Sequence, residues 1–220
     1  EQSEEVILGH LASGYDDDGF FELKTNAIAS WREELPIFRR VIERSATQSS
    51  TSAKWHILLE YPIPRIGKRI DAVLICGSIL VVVEFKLNTG SAGSAKRQVL
   101  DYAYDLRDFH RESWARQILP LVLAPDLSPN ASLDFLDQQI HTVLQVNESG
   151  LVNALAVIDR AARTDAETID APCWDLCLYT PTPTIVAAAQ HLYAKHSVAD
   201  IMRSSAGTDA LNRTSDAVLE

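Results

Sequence analysis

The sequence lacks long apolar runs, and it has few cysteines. Among its 220 residues there are only three cysteines, and two of them, Cys173 and Cys177, lie four positions apart. This is too few for a disulfide framework or a structural zinc site, so we interpret them as small buried side chains in a reducing cytoplasm. No apolar stretch approaches the ~20 residues of a membrane span, and the acidic N-terminus does not resemble a signal peptide. We therefore expect a cytoplasmic protein with no membrane partner.

Basic residues are also scarce, and their distribution is uneven. The net charge is −10, which argues against tight binding of nucleic acid. Residues 1–22 form an acidic N-terminal segment with seven acids and no lysine or arginine, whereas residues 65–116 hold nine basic residues against six acids. That stretch suits weak contact with a phosphate backbone. The candidates for this contact are Arg65, Lys68, Arg69, Lys96 and Arg97.

A tight β-hairpin is predicted over residues 69–86. Two apolar runs flank Gly77-Ser78, and glycine at the first central position is typical of a two-residue type II′ turn. Such a turn pairs Cys76 with Ile79 and fixes the register of both strands. Both faces of the strands are apolar, so we expect the hairpin to lie centrally in a sheet that is covered on each side.

Charged side chains occur only at the open end of this hairpin. The register puts Asp71 directly opposite Glu84, with Cβ atoms roughly 4.5–5.5 Å apart, and period two puts Lys86 on the same face. Two opposed carboxylates are destabilising unless a positive charge lies between them. A divalent cation would supply that charge. The alternative is a salt-bridge cluster in which Arg69, opposite Lys86, helps to neutralise the acids.

The order of these residues resembles a known nuclease superfamily. Asp71, a hairpin, the tripeptide Glu84-Phe85-Lys86 and a following helix with Gln98 and Tyr102 are similar to the PD-(D/E)xK nucleases, and in particular to their RecB-like branch. The resemblance implies an α/β fold of the restriction-endonuclease type, a three-layer sandwich with a central mixed sheet flanked by helices. It also implies a deoxyribonuclease that depends on Mg²⁺ or Mn²⁺.

Roles for individual residues follow from that resemblance. Asp71, Glu84 and the Phe85 carbonyl would hold the cation, while Lys86 would orient or deprotonate water or stabilise the charged phosphate. Five residues are possible accessories, and ordinary packing or an edge-strand position explains several of them equally well. They are Glu60, Glu33, Glu34, Gln98 and Tyr102, and the sequence does not choose between Glu33 and Glu34.

A wider resemblance covers most of the chain. Ser30-Trp31, residues 59–64 and residues 179–184 are similar to the N-terminal region of bacterial proteins that continue into a P-loop ATPase of superfamily 1 helicase type. This implies a nuclease-like domain over residues 23–203 and a linker over residues 204–220 toward a missing C-terminal domain. Single-stranded or forked DNA and an ATPase in the same longer chain are the implied partners.

Other elements follow from periodicity and from start and stop signals. We expect a first helix with Ser30 as its N-cap and with Pro36 inside it, where proline is tolerated only near the first turn. Further helices are predicted over residues 95–113, 151–162 and 184–196, and strands over residues 55–61, 118–124, 142–146 and 173–179.

Three functions remain open at this level. The first is an active metal-dependent nuclease domain. The second is a module with the nuclease fold but no activity, which binds nucleic acid or protein. The third is a structural regulator of an attached motor, which would show no DNA binding even at low salt.

Overall fold

The chain is described by a computed structural model over most of its first 186 residues. The described residues are 3–17, 24–49, 51–64, 67–87, 92–129, 133, 138–162, 167–183 and 185–186. Residues 1–179 form one compact unit, which holds every helix and strand discussed below, and residues 180–220 are grouped separately.

The described part of the first unit contains five strands and five α-helices. The strands are β1 (His56–Ile63), β2 (Lys68–Cys76), β3 (Ile79–Phe85), β4 (Gln117–Leu123) and β5 (Leu144–Val146). The helices are α1 (Glu4–Asp17), α2 (Lys24–Gln48), α3 (Ala92–Phe109), α4 (Glu148–Ala161) and α5 (Ala171–Asp175). Short 3₁₀ turns occur at Ser52–Lys54 and Arg111–Ser113.

The strands form one mixed sheet in the order β1-β2-β3-β4-β5. The first three are antiparallel to one another, whereas β4 is parallel to β3 and β5 is parallel to β4. The central strand β3 is buried at every position. The predicted α/β class with a central mixed sheet is therefore confirmed.

The turn between β2 and β3 has the predicted form. Cys76 pairs with Ile79, and Gly77 has a φ of 66° while Ser78 does not have a positive φ. A positive φ at the first central position alone is the property of a type II′ turn. The register deduced from the turn holds along the hairpin to the pair Ala72 and Val83.

Helices cover both faces of the sheet. On one face, Phe38 and Val41 of α2 and Leu155 of α4 pack against alternate residues of the strands. On the other face, α3 contributes Val99 and α5 contributes Trp174. Each strand residue thus meets a helix on whichever side it points, which explains why the central strands are apolar on both faces.

Two predictions about α2 are wrong. The helix begins at Lys24, so Ser30 is not its N-cap, and Pro36 lies in its interior. The Ser30 hydroxyl donates to Glu34 Oε1 at 2.6 Å instead of capping a backbone amide. Pro36 cannot donate to the carbonyl of Arg32, but Arg32 is exposed, so water can take the place of that bond.

The strand predicted over residues 173–179 is also wrong, because α5 forms there. Asp170 accepts a hydrogen bond from the Cys173 amide at 2.8 Å, and Pro172 lies in the first turn, so a capped helix start overrides the apolar alternation. Of the predicted strand, Tyr179 alone makes a β-bridge, to His110.

The remaining elements largely match their predicted positions. Helices α3 and α4 and strands β4 and β5 are present within a few residues of the expected bounds. Strand β1 continues through Pro62, which is tolerated because β1 is an edge strand. Within the acidic segment the structure adds α1, which was not predicted. Most of the helix predicted over residues 184–196 and the whole linker lie outside the described residues. Among the helices that the structure describes, none is long and apolar enough to cross a membrane.

Candidate active site

The open end of the central hairpin brings Asp71 and Glu84 together. The ladder between β2 and β3 extends to the pair Ala72 and Val83, and one further step would place Asp71 opposite Glu84. The Phe85 amide donates to Asp71 Oδ2 at 2.6 Å, which ties this carboxylate to β3. The direct pairing of Asp71 with Glu84 stays a prediction, because the observed ladder ends one pair short of it.

Glu84 is the most deeply buried acid of the group, with 1% of its surface exposed. Lys86 Nζ donates to Glu84 Oε1 at 2.6 Å, so the lysine lies on the same side as the acid, as period two predicts. The other oxygen, Glu84 Oε2, is buried and has no hydrogen-bond partner among the residues that the structure describes. A buried carboxylate oxygen without a partner is costly, so Glu84 needs a cation, a hydrogen-bond donor from beyond the described residues, or a proton of its own.

At this end of the sheet, the side chains of β1 and β2 switch from one face to the other. Leu59 and Ala72 are paired and belong to the core under α2 and α4, whereas the pair Tyr61 and Ile70 belongs to the core under α3. Residues two apart in a regular strand share a face, so the alternation slips by one between these pairs. The residue at the slip in β1 is Glu60, whose φ is 53°.

Glu60 lies beside Asp71 because of the same register. Glu60 has no partner in the β1–β2 ladder, but the flanking pairs, Leu59 with Ala72 and Tyr61 with Ile70, place it opposite Asp71. The indole of Trp31 in α2 donates from Nε1 to Glu60 Oε1 at 2.7 Å, and Arg69 Nη1 donates to the Glu60 carbonyl at 3.2 Å. A left-handed backbone at a non-glycine residue is strained, and such strain is concentrated at functional sites.

Of the two helix acids that the sequence left open, the structure favours Glu34. Glu34 is 6% exposed and lies close enough to Asp71, Glu60 and Glu84 for their charges to act on it. Glu33 is exposed to solvent. Three adjacent strands and α2 thus contribute one acid each to a single cluster, which we call the acid cluster: Glu34, Glu60, Asp71 and Glu84.

Burial dominates the electrostatics of the acid cluster. Desolvation, reinforced by the charge of Asp71, raises the pKa of Glu34 to about 8. Desolvation also raises the pKa of Glu60 to about 7, although the hydrogen bond from Trp31 acts in the opposite direction. The pKa values of Asp71 and Glu84 are raised for the same main reason, burial. Without a bound cation Glu34 therefore keeps its proton at neutral pH, and Glu60 and Glu84 are partly protonated there.

Lys86, unlike the four acids, is held in its charged form by its surroundings. Burial by itself lowers the pKa of Lys86, but the hydrogen bond to Glu84 and the charges of Glu84 and Asp71 outweigh burial and raise this pKa. Lys86 therefore stays charged, as a donor rather than a base.

Gln98 and Tyr102 contact each other on α3. Gln98 Nε2 donates to the Tyr102 hydroxyl at 2.7 Å, and Tyr102 is 1% exposed. Burial raises the pKa of Tyr102 to about 12, and the charges of Glu84, Asp71 and Glu60 add to the effect, so the phenol lies near the acid cluster. A cavity of about 360 Å³ opens beside this pair, lined by Lys68 and by three aspartates of α3, Asp101, Asp105 and Asp108.

The basic candidates lie around the site rather than within it. Lys96 and Arg97 are exposed in the first turns of α3, and Lys68 is exposed at the start of β2. Arg69 is instead engaged with the Glu60 carbonyl. Arg65 lies outside the described residues.

The described residues contain no group of three or more His, Cys, Asp or Glu side chains disposed to hold a metal ion. What they offer is a pair of neighbouring carboxylates, Asp71 and Glu84, with Glu84 Oε2 lacking a partner. Mg²⁺ commonly binds through one or two carboxylates and keeps several waters, so this donor set fits such a cation. The Phe85 carbonyl remains a predicted ligand.

Comparisons with known proteins leave the site to be judged on its own geometry. The chain matches no protein-family model, and neither curated proteins nor solved structures include a significant match.

Sequence reasoning missed the contact between Trp31 and Glu60. Helical spacing puts Trp31 and Glu34 on one face of α2, but nothing in the sequence links that face to Glu60. The strained backbone of Glu60 had no signal in the sequence, because glutamate rarely adopts positive φ.

Proposed function

We propose that this chain is a Mg²⁺- or Mn²⁺-dependent deoxyribonuclease domain of the PD-(D/E)xK type, with a restriction-endonuclease-like fold. The observation that carries the proposal is the acid cluster with Lys86 at the end of a buried hairpin. Its carboxyls outnumber the neighbouring cations Lys86 and Arg69, and Glu84 Oε2 has no partner. Buried carboxylates that are not matched by positive charge need a cation or must stay protonated.

A divalent cation bound here would act as a Lewis acid on a phosphodiester and lower the pKa of water. Asp71 and Glu84 would hold it, and the Phe85 amide would keep the Asp71 carboxylate in place. Lys86, which stays charged, would stabilise the negative charge that develops on the phosphate. Gln98 and Tyr102 would approach the substrate backbone from α3.

DNA is the proposed substrate, single-stranded or forked, with Lys68, Lys96 and Arg97 as contacts to phosphate. The exposed positions of these three residues support this, although three aspartates line the cavity along α3. We place the domain in the cytoplasm, which agrees with its three free cysteines, as a module of a longer helicase-like ATPase.

The test is cleavage of single-stranded, forked and duplex DNA by the purified protein in Mn²⁺. We expect Asp71→Asn, Glu84→Gln and Lys86→Ala each to lower the rate by on the order of 100-fold or more, because each removes charge at the reacting phosphate. Glu33→Gln, an exposed neighbour of Glu34, is the matched control and should cleave normally. Unchanged thermal unfolding of each variant excludes misfolding, and activity that survives Glu84→Gln would contradict the proposal.

A nuclease-fold module without activity is the second candidate. The acidic net charge and the absence of three converging acids among the described residues favour it. Titration with Mn²⁺ separates the two candidates, because a catalytic site should bind Mn²⁺ in a manner that Asp71→Asn removes. Weak, salt-sensitive DNA binding with no effect of metal supports the inactive module.

A further inference from the structure

The strained glutamate at the edge of the sheet has a dedicated hydrogen-bond donor. Trp31 is 2% exposed, and its indole N–H reaches Glu60 Oε1 at 2.7 Å across 29 residues of sequence. On the backbone side, Arg69 Nη1 donates to the carbonyl of the same residue. Glu60 is thus held at both its carboxylate and its carbonyl.

The backbone geometry shows why such a restraint is needed. Glu60 has a φ of 53° at the point where the side chains of β1 and β2 switch faces, and a left-handed backbone is strained at a glutamate. A regular strand would place this side chain elsewhere, since the slip moves its neighbours Leu59 and Tyr61 to opposite cores. The strain is therefore tied to the position of the Glu60 carboxylate.

We infer that Glu60 is a further acid of the cation site and that Trp31 is its positioning residue. This inference rests on the proposed function. Glu60 contributes through its charge and through water rather than by direct coordination, because the described acids do not converge as a group of three. Trp31 acts through Glu60 and touches neither the substrate nor the cation.

A double-mutant cycle on Mn²⁺ affinity tests the inference. Mn²⁺ binding to the full chain is measured by electron paramagnetic resonance for wild type, Trp31→Phe, Glu60→Gln and the double variant. Phenylalanine keeps the aromatic ring but loses the N–H, and glutamine keeps the acceptor oxygen but loses the charge. We expect each single variant to weaken Mn²⁺ binding about 3- to 10-fold and the double variant to be no weaker than Glu60→Gln.

Trp114→Phe is the matched control. Trp114 lies in the turn before β4, at the opposite end of the sheet from the acid cluster, since Gln117 pairs with Ile79 beside the hairpin turn. We expect wild-type affinity for this variant. A purely structural role for Trp31 predicts that the effects of Trp31→Phe and Glu60→Gln on Mn²⁺ affinity multiply in the double variant.

The outcomes separate this inference from the proposed function. Multiplying effects, or Trp31→Phe within twofold of wild type, would overturn the role of Trp31. Glu60→Gln within twofold of wild type, with Asp71→Asn abolishing binding, would overturn the role of Glu60 and leave the nuclease proposal standing. Absence of Mn²⁺ binding in the wild type would overturn both.

Discussion

The pKa of Glu34 reflects its burial and the negative charges around it. It lies in α2, almost without solvent, and faces three other acids across the end of the sheet. Its close contact is the hydroxyl of Ser30, which is neutral and cannot balance a negative charge. The folded protein without a cation therefore favours the protonated form of Glu34, whereas the unfolded chain ionises it at its ordinary pKa of 4.5.

This difference predicts a pH-dependent gain from Glu34→Gln. Because the folded pKa of about 8 lies above the unfolded value, the wild type loses stability as pH rises from about 4.5 to about 8. We expect the advantage of Glu34→Gln in the free energy of unfolding to be at least about 1 kcal/mol larger at pH 9 than at pH 4.5. Urea unfolding in the presence of a chelator measures it.

Glu33→Gln serves as the control, since Glu33 is its exposed neighbour on the same helix. The difference between Glu33→Gln and wild type should stay constant with pH. If Glu34→Gln also keeps a constant difference from pH 4.5 to pH 9, then Glu34 is not held protonated in the fold, and its place in the acid cluster is wrong.

At the scale of elements, one buried network joins the end of α3 to α5. Trp174 Nε1 donates to Ser113 Oγ, Ser113 Oγ lies 2.8 Å from His110 Nδ1, and His110 Nε2 lies 3.0 Å from the Trp174 carbonyl. A carbonyl accepts only, so Nε2 carries the hydrogen, Nδ1 accepts and the serine hydroxyl donates. If His110 were protonated, Nδ1 could no longer accept a hydrogen bond from the Ser113 hydroxyl, so the network requires a neutral imidazole. Burial favours this form and lowers the pKa of His110 to about 4.

His110 therefore makes the fold sensitive to mild acid. Its folded pKa of about 4 lies below the ordinary 6.5, so stability is complete above about pH 6.5 and is lost as pH falls toward 4. The loss amounts to about 3 kcal/mol over this range. We expect His110→Gln, which has no ionisable ring, to be less stable at neutral pH but to lack this part of the decline. Equilibrium unfolding between pH 7 and pH 4 measures both slopes.

The exposed His56 at the start of β1 provides the comparison. His56→Gln should reproduce the wild-type slope of stability against pH. An identical decline in wild type and His110→Gln would mean that the fold does not lower the pKa of His110, which would contradict the requirement of the network for a neutral imidazole.

At the scale of the whole molecule, the negative net charge limits how strongly the protein can bind its proposed substrate, DNA. The net charge is −10, and the cavity next to Gln98 and Tyr102 is lined by aspartates. Exposed basic residues near the site occur instead at the first turns of α3 and the start of β2. Phosphate contact should therefore involve few cations, with a weak dependence of affinity on salt.

The corresponding prediction concerns the variant Lys96→Ala/Arg97→Ala. Removing two phosphate contacts should weaken DNA binding and reduce the slope of log affinity against log salt by about 1.5. Fluorescence anisotropy with a labelled single strand at several salt concentrations measures this slope. Lys54→Ala/Arg160→Ala removes two exposed cations near the opposite end of the sheet and should leave the slope unchanged. Equal slopes in both double variants would place the phosphate contact elsewhere.

The sequence by itself determined the hairpin and the relation of Asp71, Glu84 and Lys86. A two-residue turn sets the strand register, and period two puts Glu84 and Lys86 on one face, so these relations need no knowledge of the rest of the fold. The facing of Asp71 depends in addition on the slip in β1 and β2. Helices α3 and α4 and strand β4 could be predicted for a similar reason, since their apolar periodicity is local. The nuclease assignment built on this hairpin remains a proposal.

Only the tertiary structure decided which further residues join the hairpin. The choice of Glu34 over Glu33 depends on how α2 rotates against the sheet, and the bond from Trp31 to Glu60 joins residues 29 positions apart. The switch of faces at Glu60 requires a positive φ, which glutamate does not favour. It exists because packing in the cores on both sides of the sheet holds the neighbouring residues in place. These features arise from contacts between distant segments, which no spacing along the chain encodes.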